Sequence, residues 1–192
     1  ALLESGRFYL SRQGKPCGLP SSDTLRVAIS ALGLNDVARF DPTEKVLGLP
    51  TIDAAALAKK TVVDFTDEVS RDTPAPGGGS IAALAGALGA ALASMVANLT
   101  HGKEGTEARD DALARIAEEA QSLKDELLRA VDADTSAFNT FMDARRLPQS
   151  TPEEKAARKA KMQEGLRIAA EVPLATAASS LAALHLCREV LE

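Results

Sequence analysis

The residue of this chain best suited to do chemistry is Asp134. From residue 113 onward apolar side chains recur every three or four positions, at Leu113, Ile116, Ala120, Leu123, Leu127, Ala130, Ala137 and Phe141, the spacing of one helix face. The stripe calls for an apolar residue at 134, and the chain has an aspartate. A carboxyl group on a buried face loses hydration, which favours its protonated form unless a cation or several donors compensate. Such a group can deliver a proton near neutral pH or accept one. The residues alone leave a plainer reading open: a carboxylate paired with Lys or Arg from another helix, or one that caps a break in its own. Asp132, two positions earlier, falls on roughly the opposite face at about 3.6 residues per turn and is expected to be solvated.

The second candidate is the run Gly77, Gly78, Gly79 and Ser80, which follows Thr73-Pro74-Ala75-Pro76. Consecutive backbone N–H groups entering a helix N-terminus form a concavity that attracts a phosphate, a carboxylate or a polar ring. The run lacks the Lys-Ser/Thr ending of a P-loop and follows no strand, so it does not read as a nucleotide site. Close packing of the loop on a neighbouring helix explains the glycines equally well. His101 and His185 stand in no motif with a nucleophile or metal ligands and read as surface or helix-terminal residues. The basic run Lys155, Arg158, Lys159 and Lys161 reads as a solvated helix face.

The elements that must position these groups are helices. The chain has 192 residues, with 45% apolar, 26% charged and only 3% aromatic side chains, and its wealth of Ala, Leu, Glu, Lys and Arg suits helices better than pleated sheets. Ser21 and Ser22 cap a helix over 23–32 that Gly33 stops. Breakers around Pro42 and Pro50 mark a linker near Pro50, with helix resuming after Thr51 or Asp53. Thr61-Val62-Val63-Asp64 has the form of a capping box for a short helix carrying Phe65 and Val69. Ser80 is the expected N-cap of a helix over 81–99 that is uncharged and long enough to cross a bilayer. Its richness in Ala and Gly, without aromatic belts or flanking basic clusters, favours a buried helix at a subunit interface instead. A long amphipathic helix begins near Glu107. Another opens at Thr151-Pro152-Glu153-Glu154, with Pro173 expected to kink or break it.

Charge excludes further classes. A net charge of -5 supplies no global basic field for nucleic acid or an anionic membrane. Cys17 and Cys187 stand far apart without ligand-spaced companions, so neither a zinc motif nor a disulfide framework is expected, and reduced thiols in a cytoplasmic protein are. Glu4 and Arg7 interrupt any signal-like apolar stretch at the start.

Several segments together carry a family resemblance. They are Thr61-Val62-Val63-Asp64-Phe65, Pro74-Ala75-Pro76-Gly77-Gly78-Gly79-Ser80, Ser94-Met95-Val96-Ala97-Asn98-Leu99-Thr100, His101-Gly102-Lys103, Val131-Asp132-Ala133-Asp134 and Glu171-Val172-Pro173-Leu174. In combination they resemble the formimidoyltetrahydrofolate cyclodeaminase family over most of residues 57–192. The first 50 residues, with Arg7-Phe8-Tyr9-Leu10, Leu32-Gly33-Leu34 and Phe40-Asp41-Pro42-Thr43-Glu44-Lys45, resemble the end of a glutamate formimidoyltransferase domain, as in the fused bifunctional enzymes.

The resemblance implies an all-α fold, an antiparallel helical bundle preceded by a short mixed remnant of an α/β transferase domain. It implies two parts: residues 1–50, the transferase remnant with its linker, and residues 51–192, a cyclodeaminase domain ending before the family's last helices. The activity implied is cyclisation of 5-formimidoyltetrahydrofolate to 5,10-methenyltetrahydrofolate with release of ammonia, in histidine degradation. Formimidoyl transfer is not expected from a remnant lacking the body of its domain. Asp134 matches the family's catalytic carboxylate, described there as a nucleophile; an acid-base role fits the chemistry equally. The glycine loop, Gly77 to Ser80, is the expected substrate-binding element. No metal and no cofactor beyond the tetrahydrofolate substrate, polyglutamylated or not, is implied. The expected assembly is a homodimer or larger homo-oligomer, with no nucleic-acid or membrane partner. The rivals are a methenyltetrahydrofolate cyclohydrolase of the same fold and a non-catalytic helical oligomerisation module.

Overall fold

The computed structural model describes residues 1–48 and 56–192, and every described element is a helix. The seven α-helices are α1 (Leu2–Arg12), α2 (Ser21–Ala31), α3 (Pro42–Lys45), α4 (Val62–Val69), α5 (Gly78–Thr100), α6 (Asp110–Arg145) and α7 (Pro152–Leu191). Short 3₁₀ turns at Leu57–Lys59 and Glu107–Arg109 precede α4 and α6. The all-α expectation holds. It is narrowed at the start of the chain, where residues 1–48 carry three helices and no strand among the described residues instead of mixed structure. The linker expected near Pro50 and the helix start after Thr51 or Asp53 lie outside the described residues.

The chain divides into two compact units. One comprises Ala1–Thr51, Gly89–Leu123 and Ala183–Glu192; the other comprises Ile52–Leu88 and Lys124–Ala182. In the first unit, Ala93, Ala97, Leu113, Ile116, Ala117, Ala120, Leu186 and Val190 form a buried cluster flanked by Val96, Leu123 and Cys187. Removing each such Leu or Ile from water contributes on the order of 1.5–3 kcal/mol. The alanines let the helix backbones approach closely. The N-terminal helices belong to this unit and bury Leu10, Leu25, Ala28 and Ile29. Gly33 adopts a left-handed φ of 63° after α2, as a helix-ending glycine should.

In the second unit Phe65, Ala83 and Val131 are the buried centre, with Leu57, Ala58, Val69, Leu84 and Ala130 packed around them. Thr61 caps α4 through its hydroxyl, which accepts from the Asp64 N–H at 3.1 Å and donates to the Asp64 carboxylate at 2.6 Å. Lys60 reaches Glu68 at 2.9 Å, and this hydrogen bond holds the Glu68 carboxyl below its ordinary range. At the start of α7, the Thr151 hydroxyl accepts from the Glu154 N–H at 3.2 Å, and the Glu154 carboxylate accepts from the Thr151 N–H at 3.1 Å. That reciprocal pair is a capping box.

Three expectations change. Ser21 and Ser22 do not cap α2 from outside, because the helix already begins at Ser21 and its N-cap position is Pro20. Ser80 is not the N-cap of α5: the helix starts at Gly78, and the Gly77 carbonyl already accepts from Ile81 N–H at 3.1 Å. The absence of Cβ atoms lets the glycines themselves enter the first turn. Pro173 does not break α7, which runs unbroken from Pro152 to Leu191. The helical residues on both sides outweigh one missing backbone bond.

Candidate active site

The site is built where the start of α5 meets α6 within the second unit. Ser80, in the first turn of α5, is fully buried. Its hydroxyl donates to the Val131 carbonyl at 2.7 Å, one turn before Asp134 on α6. That bond fixes the register of the two helices, and it sets the Ser80 N–H 3.1 Å from Asp134 Oδ2. The same hydroxyl lies 3.4 Å from Asp134 Oδ2 and 3.3 Å from Thr135 Oγ1. With its proton aimed at the shorter contact, these are secondary. The first-turn N–H groups of a helix lack intrahelical partners, and Asp134 satisfies one of those of α5.

Gly79 explains how the carboxyl comes so close. A Cβ placed on Gly79 would lie 2.0 Å from Asp134 Oδ1 and 2.4 Å from Cγ, far inside van der Waals contact. The glycine run thus leaves a bare patch of backbone against which the carboxyl group lies flat. The anion at this helix N-terminus is the protein's own. Of the four residues expected to bind substrate, Gly77 and Gly78 line an open cleft, whereas Gly79 faces Asp134 and Ser80 is buried behind it.

That cleft has a volume of about 170 Å³ and is lined by Pro74, Ala75, Gly77, Gly78, Asp134, Phe138 and Ala169. Whole-ligand pockets run from about 300 Å³ upward, so this one suits the reacting end of a larger molecule. Asp134 is half-buried, and among the described residues no Lys or Arg pairs with it. Oδ2 is held by Ser80, and Oδ1 has no donor among the described residues. The arrangement is an oriented carboxylate with one committed and one available oxygen, set in a largely apolar hollow where it can accept or pass a proton.

Asp132 behaves differently from expectation. It is half-buried, not solvated: Oδ1 accepts from Leu57 N–H at 2.7 Å and Oδ2 from Ala58 N–H at 3.2 Å. It caps the 3₁₀ turn at Leu57–Lys59, each oxygen holding one backbone N–H. Sequence reading missed this because the partner is backbone 75 residues away in sequence. It also missed Phe138 and Ala169 as cleft walls. Phe138, one turn after Asp134, was discoverable from helical spacing; Ala169 was not. His101 closes the C-terminal turn of α5 through its N–H to Ala97 and His185 is exposed on α7; both belong to the other unit. Lys155, Lys159 and Lys161 are exposed on α7, as a solvated face should be, whereas Arg158 of the same run is half-buried and donates to the Arg145 carbonyl and Gln149 Oε1, each at 3.1 Å.

Comparison with known proteins adds a second line. Residues 61–192 match the sequence model of the formiminotransferase-cyclodeaminase family, and residues 1–50 match that of the formiminotransferase domain. Formimidoyltransferase-cyclodeaminase of Mus musculus is 38% identical over 177 residues, covering 91% of this chain and 32% of that protein. Methenyltetrahydrofolate cyclohydrolase of Methylorubrum extorquens is 42% identical over 133 residues, covering 69% of this chain and 61% of that protein. The crystal structure of formiminotetrahydrofolate cyclodeaminase from Thermotoga maritima superposes with a TM-score of 0.53 at 28% identity, covering 69% of this chain and 73% of that one. The chain spans about a third of the length of the bifunctional relatives it matches.

Proposed function

Because the chain belongs to the formiminotransferase-cyclodeaminase family, we propose that it carries the cyclodeaminase centre of a bifunctional enzyme, converting 5-formimidoyltetrahydrofolate to 5,10-methenyltetrahydrofolate and ammonia in histidine breakdown. The observation that carries this reading is Asp134, a cleft-lining carboxylate with Oδ2 fixed by the Ser80 N–H and Oδ1 without a donor among the described residues. N10 of the folate attacks the formimidoyl carbon and forms a new C–N bond. The formimidoyl group enters as its amidinium cation, so the attacked nitrogen becomes an amine carrying two protons, and Asp134 takes the N10 proton and passes it to that nitrogen as the third. The C–N bond to that nitrogen then breaks, ammonia leaves, and the carbon remains as the methenyl cation bridging N5 and N10. One carboxyl group shuttling one proton suffices for this sequence, which calls for no cofactor beyond the folate itself. Gly77 and Gly78, on the cleft wall, are the part of the loop proposed to meet the substrate.

A second reading rests on the cyclohydrolase relative: water attacking a methenyl group already in place, with the same carboxylate as base. The match of residues 1–50 to a formiminotransferase domain favours the cyclodeaminase. Incubation with 5-formimidoyltetrahydrofolate, with ammonia measured by a coupled assay and the methenyl product by absorbance, separates the two. The expected result is equimolar ammonia and methenyl product, lost in Asp134→Asn. Hydrolysis of added methenyltetrahydrofolate without ammonia release from the formimidoyl substrate supports the rival.

The remaining parts of the proposal concern setting. Residues 1–50 are the end of the transferase domain and 51–192 the cyclodeaminase domain. Leu88, Leu92, Met95 and Leu99 are exposed on α5 at helical spacing while Ala87, Ala90, Ala93 and Ala97 are buried, which supports a homodimer or larger homo-oligomer covering that apolar stripe. The α5 and α7 helices are long and apolar enough to cross a membrane by length and composition. The buried alanines of α5 support a soluble protein instead. The acidic balance of the chain supports the absence of a nucleic-acid partner, and free Cys17 and Cys187 fit a reducing cytoplasm.

A further inference from the structure

Charge is unbalanced in the Asp134 cleft. Among its walls Asp134 alone is ionisable; the others are Pro74, Ala75, Phe138, Ala169 and two loop glycines. The first turn of α5 compensates the carboxylate through the Ser80 N–H at 3.1 Å, and a helix end carries only about half a unit of positive charge. Part of the negative charge is therefore left to whatever enters the hollow. Phe138 follows Asp134 by four residues on α6, so both side chains leave the same face of that helix, and Phe138 is half-buried at the same cleft. The face of an aromatic ring is negative and attracts a cation lying within about 6 Å. A carboxylate and a ring in an otherwise apolar hollow suit a cationic ligand.

Resting on the cyclodeaminase reading, we propose that Phe138 is a specificity-determining residue: its ring and the Asp134 carboxylate together select a flat, delocalised cation, the amidinium form of the formimidoyl group on N5, over a neutral acyl group of the same size. The amidinium N–H groups donate to the carboxylate while the positive carbon meets the ring. A formyl group offers neither charge nor N–H, and its oxygen meets Asp134 as acceptor against acceptor. When ammonia leaves, the hydrogen bond goes with it. The ring contact stays, because the methenyl bridge between N5 and N10 is again a delocalised cation.

The test uses the full chain and the ammonia-release assay, with and without Phe138→Leu. Three constants are measured: KM for 5-formimidoyltetrahydrofolate, and inhibition constants for 5,10-methenyltetrahydrofolate, a cation, and for 5-formyltetrahydrofolate, which is neutral at N5. In the leucine variant the first two are expected to rise about threefold to tenfold, the worth of a partly desolvated cation–π contact, while the formyl constant stays put. Phe138→Met, unbranched and without a ring, takes its place if the leucine variant does not fold. A ring that merely fills space moves all three constants together or moves none, and either result overturns the proposal alone. Absence of ammonia release from the native chain overturns the cyclodeaminase reading, and the proposal with it.

Discussion

In each of the two compact units a glycine presses against α6, and the two contacts end in opposite ways. In the first unit a Cβ on Gly18 would lie 2.2 Å from the Ala117 Cβ and 2.7 Å from its backbone carbon. The Gly18 carbonyl is crowded with donors: Ser94 at 3.1 Å, Asn98 at 2.7 Å and Gln121 at 3.2 Å. In the second unit Gly79 meets Asp134 where Gly18 meets an alanine, and the cluster keeps one carboxylate oxygen free beside a hollow. A saturated acceptor sealed by apolar packing holds a fold together. An acceptor with a spare valence and a space in front of it can do chemistry. The same local device serves both ends, and the residue facing the glycine decides which.

The sharpest way to break this comparison is to add one methyl group at each glycine. Gly79→Ala pushes on the free end of a carboxyl group that can rotate away, so activity is expected to fall by about a hundredfold or more as Asp134 leaves its place, with a smaller loss of stability. Gly18→Ala pushes on backbone that has nowhere to go, so a loss of about 2 kcal/mol or more is expected in denaturant unfolding, with the cleft untouched. If the two variants exchange these outcomes, the division between the sites fails. A milder probe is Gln121→Leu. Gln121 is one of three donors to a single carbonyl, and its own Oε1 is buried without a partner, so the variant is expected to be neutral or slightly stabilising in the same assay. A clear destabilisation means that the Gly18 cluster is not saturated.

The smallest effect belongs to an ion pair that touches neither contact. Lys60 holds Glu68 below its ordinary ionisation range. A carboxyl depressed by folding contributes stability that is whole above the unfolded value of about 4.3 and fades as pH falls through the lower folded one. The melting-temperature gap between the native chain and Glu68→Gln is therefore expected at neutral pH and is expected to close in acid. A gap that persists below pH 3 contradicts the assignment.

Much of this was legible in the sequence, for reasons visible residue by residue. The stripe from Leu113 to Phe141 is local periodicity, and its one interruption marks Asp134. Thr61 and Thr151 announce helices because capping is settled within four residues. What the sequence left hidden depends on distant partners. Nothing near Asp132 shows that its oxygens meet Leu57 and Ala58, so helical geometry alone assigned it to solvent. The glycines looked like an anion cradle. That a carboxylate of α6 already occupies the helix terminus is a tertiary fact, as is the burial of Ser80. Pro173 was read by its local cost, and the helix on either side carried it through.

The Asp132→Asn and Asp134→Asn variants, compared for ammonia release and for stability in one experiment, test the central claim most directly. Asp134→Asn is expected to lose ammonia release while unfolding like the native chain. Asp132→Asn is expected to lose about 1 kcal/mol of stability, one backbone cap weakened, and to keep its turnover number. Full activity in Asp134→Asn, or loss of turnover in a stably folded Asp132→Asn, contradicts it.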